Sequence, residues 1–224
     1  MPAVQAVTDP WVRWDWVRDH TGVITSALAQ HLRLTAVALL VGFALSLPLG
    51  VVAHRWRRAG APILAVAGVV YTVPSLALFA LLVPRFGLST TTAEIGLVGY
   101  TLLILIRNIV TGLDGVPDDV LEAARGMGFT SRRLLWRIEL PLAVPAVVAG
   151  IRIATVTTIG LVTVTALIGQ GGLGQLMLDG LIRDFRTPLV VGSVLSVALA
   201  GVADLALLGV QHLVTPWARA GSRT

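Results

Sequence analysis

The 224-residue sequence contains no cysteine and no lysine. The first absence excludes a disulfide framework, an iron–sulfur site and a thiol nucleophile. The second means that all 17 basic residues are arginine, a composition that points to a GC-rich genome. Charge of either sign is scarce, at 13% of residues against about 25% in ordinary soluble domains. Aromatic residues are also few, and only Phe43, Tyr71, Phe79 and Tyr100 fall within the first three apolar runs. What is abundant is apolar sequence, 55% of the chain, with a mean hydropathy of +0.84. One soluble core does not need so much, whereas several bilayer spans do. The net charge of +5 is scattered between the apolar runs. That distribution suits the bias of membrane loops toward basic residues better than a nucleic-acid-binding face.

A span takes about 20 mainly apolar residues. Residues 34–53 and 59–84 carry no charge and predict the first two spans. The third covers about 95–113, interrupted by Arg107, and the fourth about 141–168, carrying Arg152. The fifth covers about 188–210 and carries Asp204. The fold class expected is therefore all-α integral membrane, with five core transmembrane helices. The opening stretch lacks the apolar core of a signal peptide. Its Trp11, Trp14 and Trp16, interleaved with charges, predict an interfacial helix within residues 1–30, a polar tail being the alternative.

The cluster His54-Arg55-Trp56-Arg57-Arg58 places the end of the first span in the cytoplasm. By alternation the long loop 114–141, with Arg125, Arg132, Arg133 and Arg137, is cytoplasmic too. The tail 214–224, with Arg219 and Arg223, is then inside, and the N-terminus is outside. Arg13, Arg18, Arg33, Arg85, Arg183 and Arg186 fall on the outer side, so the asymmetry is moderate.

The long loop reads as two short helices around a glycine break. Asp118 and Asp119 follow Pro117, a favourable helix start. Gly126 and Gly128 permit a sharp turn, and Thr130 or Ser131 can cap a second helix with Leu134, Leu135 and Ile138 on its apolar side. Pro141 is expected to end that helix as the next span begins. The result is a stiff knuckle with an exposed face.

Glu122-Ala123-Ala124, Gly128 after three residues, and Ile138-x-Leu140-Pro141 after nine more resemble the EAA loop of ABC importer permeases at every defining position. In that family the loop forms coupling helices that dock into a groove on an ATPase subunit. The resemblance extends over about residues 30–213, with the expected permease domain at 31–213, and is nearest to the glycine betaine/carnitine/choline branch. Val73-Pro74-Ser75-Leu76-Ala77-Leu78, Arg107-Asn108, Gly150-Ile151-Arg152 and the run from Ile168 to Gly174 look like landmarks of that branch. Gln170 stands where the branch commonly has alanine. Methionine and other small-solute permeases share the loop, so an amino acid is the alternative solute. The resemblance implies an importer-type fold, two ATPase subunits, a second permease subunit and an extracytoplasmic solute-binding protein. It implies no catalysis by this chain and no cofactor.

Several residues invite a pathway reading. Pro74 and Ser75, with Tyr71 beside them, sit near the middle of the second span, where proline kinks a helix. Such a kink either lines a pathway or only packs. Arg107, Asn108 and Arg152 are intramembrane polar groups, which mark pathways or buried pairs. Arg152 has Asp204 as a candidate partner, and snorkelling is the other option. Thr155 belongs to a fourth span rich in small and hydroxyl residues, suited equally to close helix packing or a polar pathway. Gly169, Gly171, Gly172 and Gly174 follow it on the outer side. They lack the Lys-Ser/Thr of a phosphate-binding loop and read as a tight turn or outer gate. His20, His31, His54 and His212 lack metal-ligand spacing and read as interfacial. A membrane enzyme would need a nucleophile–base pair or metal ligands, and a secondary carrier internal repeats; neither pattern appears in the sequence.

Overall fold

The computed structural model describes residues 10–215, and every regular element among them is helical. A short helix α1 (Trp14–Asp19) precedes α2 (Thr21–Arg55), α3 (Arg57–Thr72), α4 (Ser75–Phe86) and α5 (Thr90–Asp114). The loop after α5 holds α6 (Asp118–Gly126) and α7 (Ser131–Leu134). A π-helical segment, Leu135–Glu139, leads into α8 (Leu140–Val164), which ends in a 3-10 turn, Thr165–Ile168. A hairpin of α9 (Leu173–Ile182) and α10 (Arg186–Val214) completes the described chain.

Four stretches are long and apolar enough to cross a bilayer unbroken: Thr21–Arg55, Thr90–Asp114, Ser131–Ile168 and Arg186–Val214. The α3–α4 pair makes a fifth span, bent by 95° at its break. Five spans are as expected, but their outlines differ. The first helix begins at Thr21, not at residue 34, and takes in the last third of the stretch expected to lie in the interface. At 1.5 Å per residue it is roughly 50 Å long, well beyond a ~30 Å hydrocarbon layer. Its extension is held by burial: His31 is fully buried and sits 3.1 Å from the Ile159 carbonyl oxygen of α8. His31 is therefore a packing residue between helices, not an interfacial one.

The bundle is assembled through small residues. Along α2 the buried positions His31, Leu34, Thr35, Ala38, Gly42, Ser46, Gly50 and Ala53 form one stripe at helical spacing. Gly42 packs against Thr101, and a Cβ at Gly50 would come within 2.5 Å of Ile109. These pairings ascend together, so α2 and α5 run parallel, and the α3–α4 pair must carry the chain back between them. Gly112 against Ala143 and Gly150 against Asn108 descend, so α5 and α8 are antiparallel. Gly180 against Leu189 and Gly192 against Met177 close the α9–α10 hairpin. Small residues at crossings permit this close approach where lipid supplies no hydrophobic drive between helices.

Apolar clusters fill the two ends. Leu34, Ala38, Phe79, Ala93, Leu97, Val162 and Ile168 pack at one, and Ile109, Leu113, Leu135 and Ala143 at the other. Helix α1 is only six residues long and docks on the start of α10. The Arg13 amide donates to Thr187 Oγ1 at 3.0 Å, Trp16 meets Phe185 edge-on at 5.7 Å, and Arg186 lies over Trp11. Arg219 and Arg223 of the expected tail lie outside the described residues.

Candidate coupling loop and translocation elements

The loop between α5 and α8 is built on one helix-ending motif. Pro117 precedes α6, and Asp118 and Asp119 occupy its positive N-terminal turn. At the other end the Gly128 amide donates to Arg125 O at 2.9 Å, and the Phe129 amide donates to Ala124 O at 3.1 Å. This pair of bonds is the Schellman cap, which needs a left-handed residue at the position of Gly128. Gly128 has φ +82°. Gly126 lies within the helix, so the turn depends on Gly128 alone. Thr130 then caps α7 by accepting from the Arg133 amide at 3.4 Å.

The knuckle is only partly exposed. Glu122 and Ala123 face solvent, while Ala124 is 1% exposed and supports the loop from inside. Sequence reasoning placed Ala124 on the docking face. The helical 100° step between neighbours instead turns it inward, under the cap that its own carbonyl accepts. Met127 is 70% and Trp136 59% exposed, which adds two large apolar groups that the motif did not single out. Ile138 and Leu140 are half-buried and Pro141 is exposed. Pro141 does not end a helix. Its missing N–H and its ring are accommodated by the π-helical widening of Leu135–Glu139, so the chain stays helical from Ser131 to Ile168.

Two polar ties fix this loop to the bundle. His54 Nδ1 lies 2.5 Å from Asp114 Oδ1, joining the ends of α2 and α5. Arg55 donates to the Ser131 carbonyl at 2.6 Å and lies 3.8 Å from the buried carboxylate of Glu139. Counting charges by side had used Arg55 only as an orientation marker. The sequence signal for its role is a lone Glu139 inside an otherwise apolar and basic stretch.

The second span does not kink; it breaks. Val73 and Pro74 are both extended, and Ser75 begins α4. The Tyr100 hydroxyl of α5 donates to the freed Val73 carbonyl, and Tyr71 packs edge-on against Tyr100 at 6.0 Å. Pro74 has no N–H to donate to the preceding turn, and the Tyr100 hydroxyl partners the Val73 carbonyl that the break leaves free, so two separate helices are stable.

The remaining pathway candidates occupy separate seams. Arg107 is exposed on α5; Asn108 donates to Ile104 O and packs against Gly150. Arg152 makes a bidentate pair with Asp204, both bonds 2.9 Å, and a third bond of 3.1 Å to Gln211. Of the two options, pairing is the one observed, and it clamps α8 to α10. Thr155 is buried and returns its hydroxyl to Ile151 O. Gly169 at φ +75° and Gly172 at φ +53° turn the chain back on itself. Gly171 packs on Ala166, Gly174 on the Thr163 backbone, and a Cβ at Gly172 would meet His31 and Ala27 within 2.8–2.9 Å. Gln170 accepts from Thr90 of α5 at 2.9 Å.

Residues 28–219 match the family described as binding-protein-dependent transport system inner membrane component. The chain is 37% identical to an osmoprotectant import permease protein of Salmonella typhimurium, over 90% of this chain and 96% of that one. It is 34% identical to a choline transport system permease protein of Bacillus subtilis, over 84% and 86%. It is 32% identical to a glycine betaine/carnitine/choline transport system permease protein of the same organism, over 90% and 93%. Its fold matches a chain of the methionine ABC transporter MetNI, solved in inward-facing conformations, with TM-score 0.79 at 22% identity, covering 88% of this chain and 98% of that one.

Proposed function

Because the chain belongs to the binding-protein-dependent transport system inner membrane component family and is a permease subunit of an ABC importer, we propose that it moves a quaternary ammonium osmoprotectant into the cell. The observation that carries the solute is the agreement among relatives named for osmoprotectant, choline and carnitine transport, matched over most of their length. In this reading two copies of an ATPase subunit and a second permease subunit, identical or related, complete the complex. A binding protein delivers solute at the end that carries the glycine turn. Hydrolysis resides on the partner chain. The end holding the Gly128 knuckle faces the cytoplasm, with the N-terminus outside. Glu122, Ala123 and Met127 dock on the ATPase, and Ala124 and Gly128 hold their shape. Closure of the ATPases on ATP displaces the knuckle, and the unbroken helix from Ser131 to Ile168 carries that motion toward the glycine turn. The permease is the two-state element, and ATP supplies the differential affinity.

The test is uptake of labelled glycine betaine, choline, carnitine and methionine by a strain lacking its own importers and given the whole operon. Uptake of a quaternary ammonium, abolished when the ATPase is removed, is expected. Uptake of methionine alone would replace the solute by the amino-acid alternative.

A further inference from the structure

Of the three glutamates in the chain, Glu122 belongs to the knuckle and Glu139 pairs with Arg55. Glu94 has no such role. It lies on α5, four residues from the helix start, with one carboxylate oxygen shielded from solvent and without a hydrogen-bond partner. Glu94 lines a crevice of about 550 Å³ in the elbow of the broken span. That volume is within the roughly 300–1,000 Å³ of small-molecule sites. The other lining groups are apolar: Val41 and Leu45 of α2, Leu78 and Leu82 of α4, Val98 and Leu102 of α5 among them. Arg33 is the cation near enough to act on Glu94 electrostatically, yet among the described residues no ion pair joins them.

An ionisable group shielded from water near the end of a span is costly and is found where a partner or pathway requires it. Here the environment selects the partner. A lone carboxylate attracts a cation, while apolar walls give no hydrogen bonds to replace the water of a metal ion or primary amine. A quaternary ammonium has no N–H to satisfy and presents methyl groups to such walls. Thr90, one turn before Glu94 on the same face, is bonded to Gln170 of the glycine turn, so the crevice adjoins the end where solute would arrive.

We propose that Glu94 and the α2–α4–α5 crevice form a transient binding site for the quaternary ammonium group of the solute. This rests on the solute reading above and adds where the solute is held. The absence of cysteine from this chain permits a direct test in the assembled permease–ATPase complex in nanodiscs, with labelling read on this chain after its separation from the other subunits. A single Val98→Cys reporter in the crevice is labelled with a maleimide, with and without choline. Choline should slow labelling several-fold, and its neutral isostere 3,3-dimethylbutanol should not. Glu94→Gln should raise the choline concentration needed for protection by about tenfold or more, the scale of a lost charged contact, while Glu94→Asp retains protection.

Arg33→Gln tests whether Glu94 serves only as an ion-pair partner. The site predicts that protection survives that change. Equal loss of assembled complex in Arg33→Gln and Glu94→Gln, with no choline-dependent protection in the parent, would overturn it. Protection by the neutral isostere equal to that by choline would do the same. Choline uptake by the parent operon without any protection sinks the site and leaves the solute reading standing. Protection without quaternary ammonium uptake sinks the solute reading and leaves a cation site.

Discussion

The two ends of the bundle both depend on glycine, for opposite reasons. At the knuckle, Gly128 sits in open space with φ +82°, so its need is conformational. At the glycine turn of residues 169–174, Gly171 and Gly174 are pressed against backbone and side chains, so their need is room, and Gly172 needs both. The knuckle is consequently a stiff but exposed shape, with Met127 and Trp136 uncovered. The turn is an interior structure, sealed on α2 through His31. An exposed knuckle, such as the docking surface proposed above, has to hold its form with nothing around it, and a turn sealing a bundle has to fit what surrounds it.

This contrast can be broken at the turn first. Gly174→Ala should give the largest loss, because its Cβ would meet the Thr163 backbone, which cannot move aside as a side chain can. Overpacking of about 1–3 kcal/mol or more is expected, seen as a lowered thermal midpoint in detergent and less protein in the membrane. Normal stability would mean that the turn is looser than described.

Ala124 and Ala123 sharpen the contrast within the knuckle. Ala124→Trp should lower thermal stability and abolish ATPase capture, since the site is buried. Ala123→Trp should leave stability unchanged and weaken ATPase capture alone, as read by pull-down and thermal unfolding on both variants. Equal effects on stability would erase the distinction between inner and outer faces of α6.

Gly128→Ala should cost about 1 kcal/mol from its left-handed backbone, with no clash. Gly128→Asn, which tolerates that conformation, should restore ATPase capture toward that of the parent. Capture lost equally in both would show that size, not backbone angle, matters at the knuckle.

The smallest effect is expected from Pro74→Ala. The elbow has a second support in the Tyr100 hydroxyl on Val73 O, so the bend should persist. Spin labels at positions 66 and 81 should report an unchanged distance, whereas Tyr100→Phe should broaden it. A straightened span in Pro74→Ala would return the bend to proline alone.

Much of this was legible in the sequence. Long apolar runs, two of them charge-free, give the five spans, and Gly126 and Gly128 mark the turn after the first helix of the long loop. The rest required contacts between distant segments. Residues 21–33 hold His31 and Arg33, so a search for charge-free stretches cuts the first helix short. Only Ile159, far along the chain, explains why His31 is buried there. Proline announces a disturbance at 74, but Tyr100 allows a full break. The inward turn of Ala124 follows from helix phase, which a motif read as a string does not carry. Glu94 gave no signal because a single carboxylate near a span end looks like an ordinary boundary residue.

The seam at Gly150 gives the long helix a mechanical property. Counting 1.5 Å per residue, about 28 Å of helix separates Ser131 from Gly150, and about 27 Å separates Gly150 from Ile168. Asn108 presses on the backbone at that midpoint, where a Cβ would come within 2.5 Å of it. A rod pivoting there has arms of nearly equal length. Displacement of the knuckle by a few ångströms would swing the glycine turn by the same amount in the opposite sense, with neither gain nor loss of amplitude.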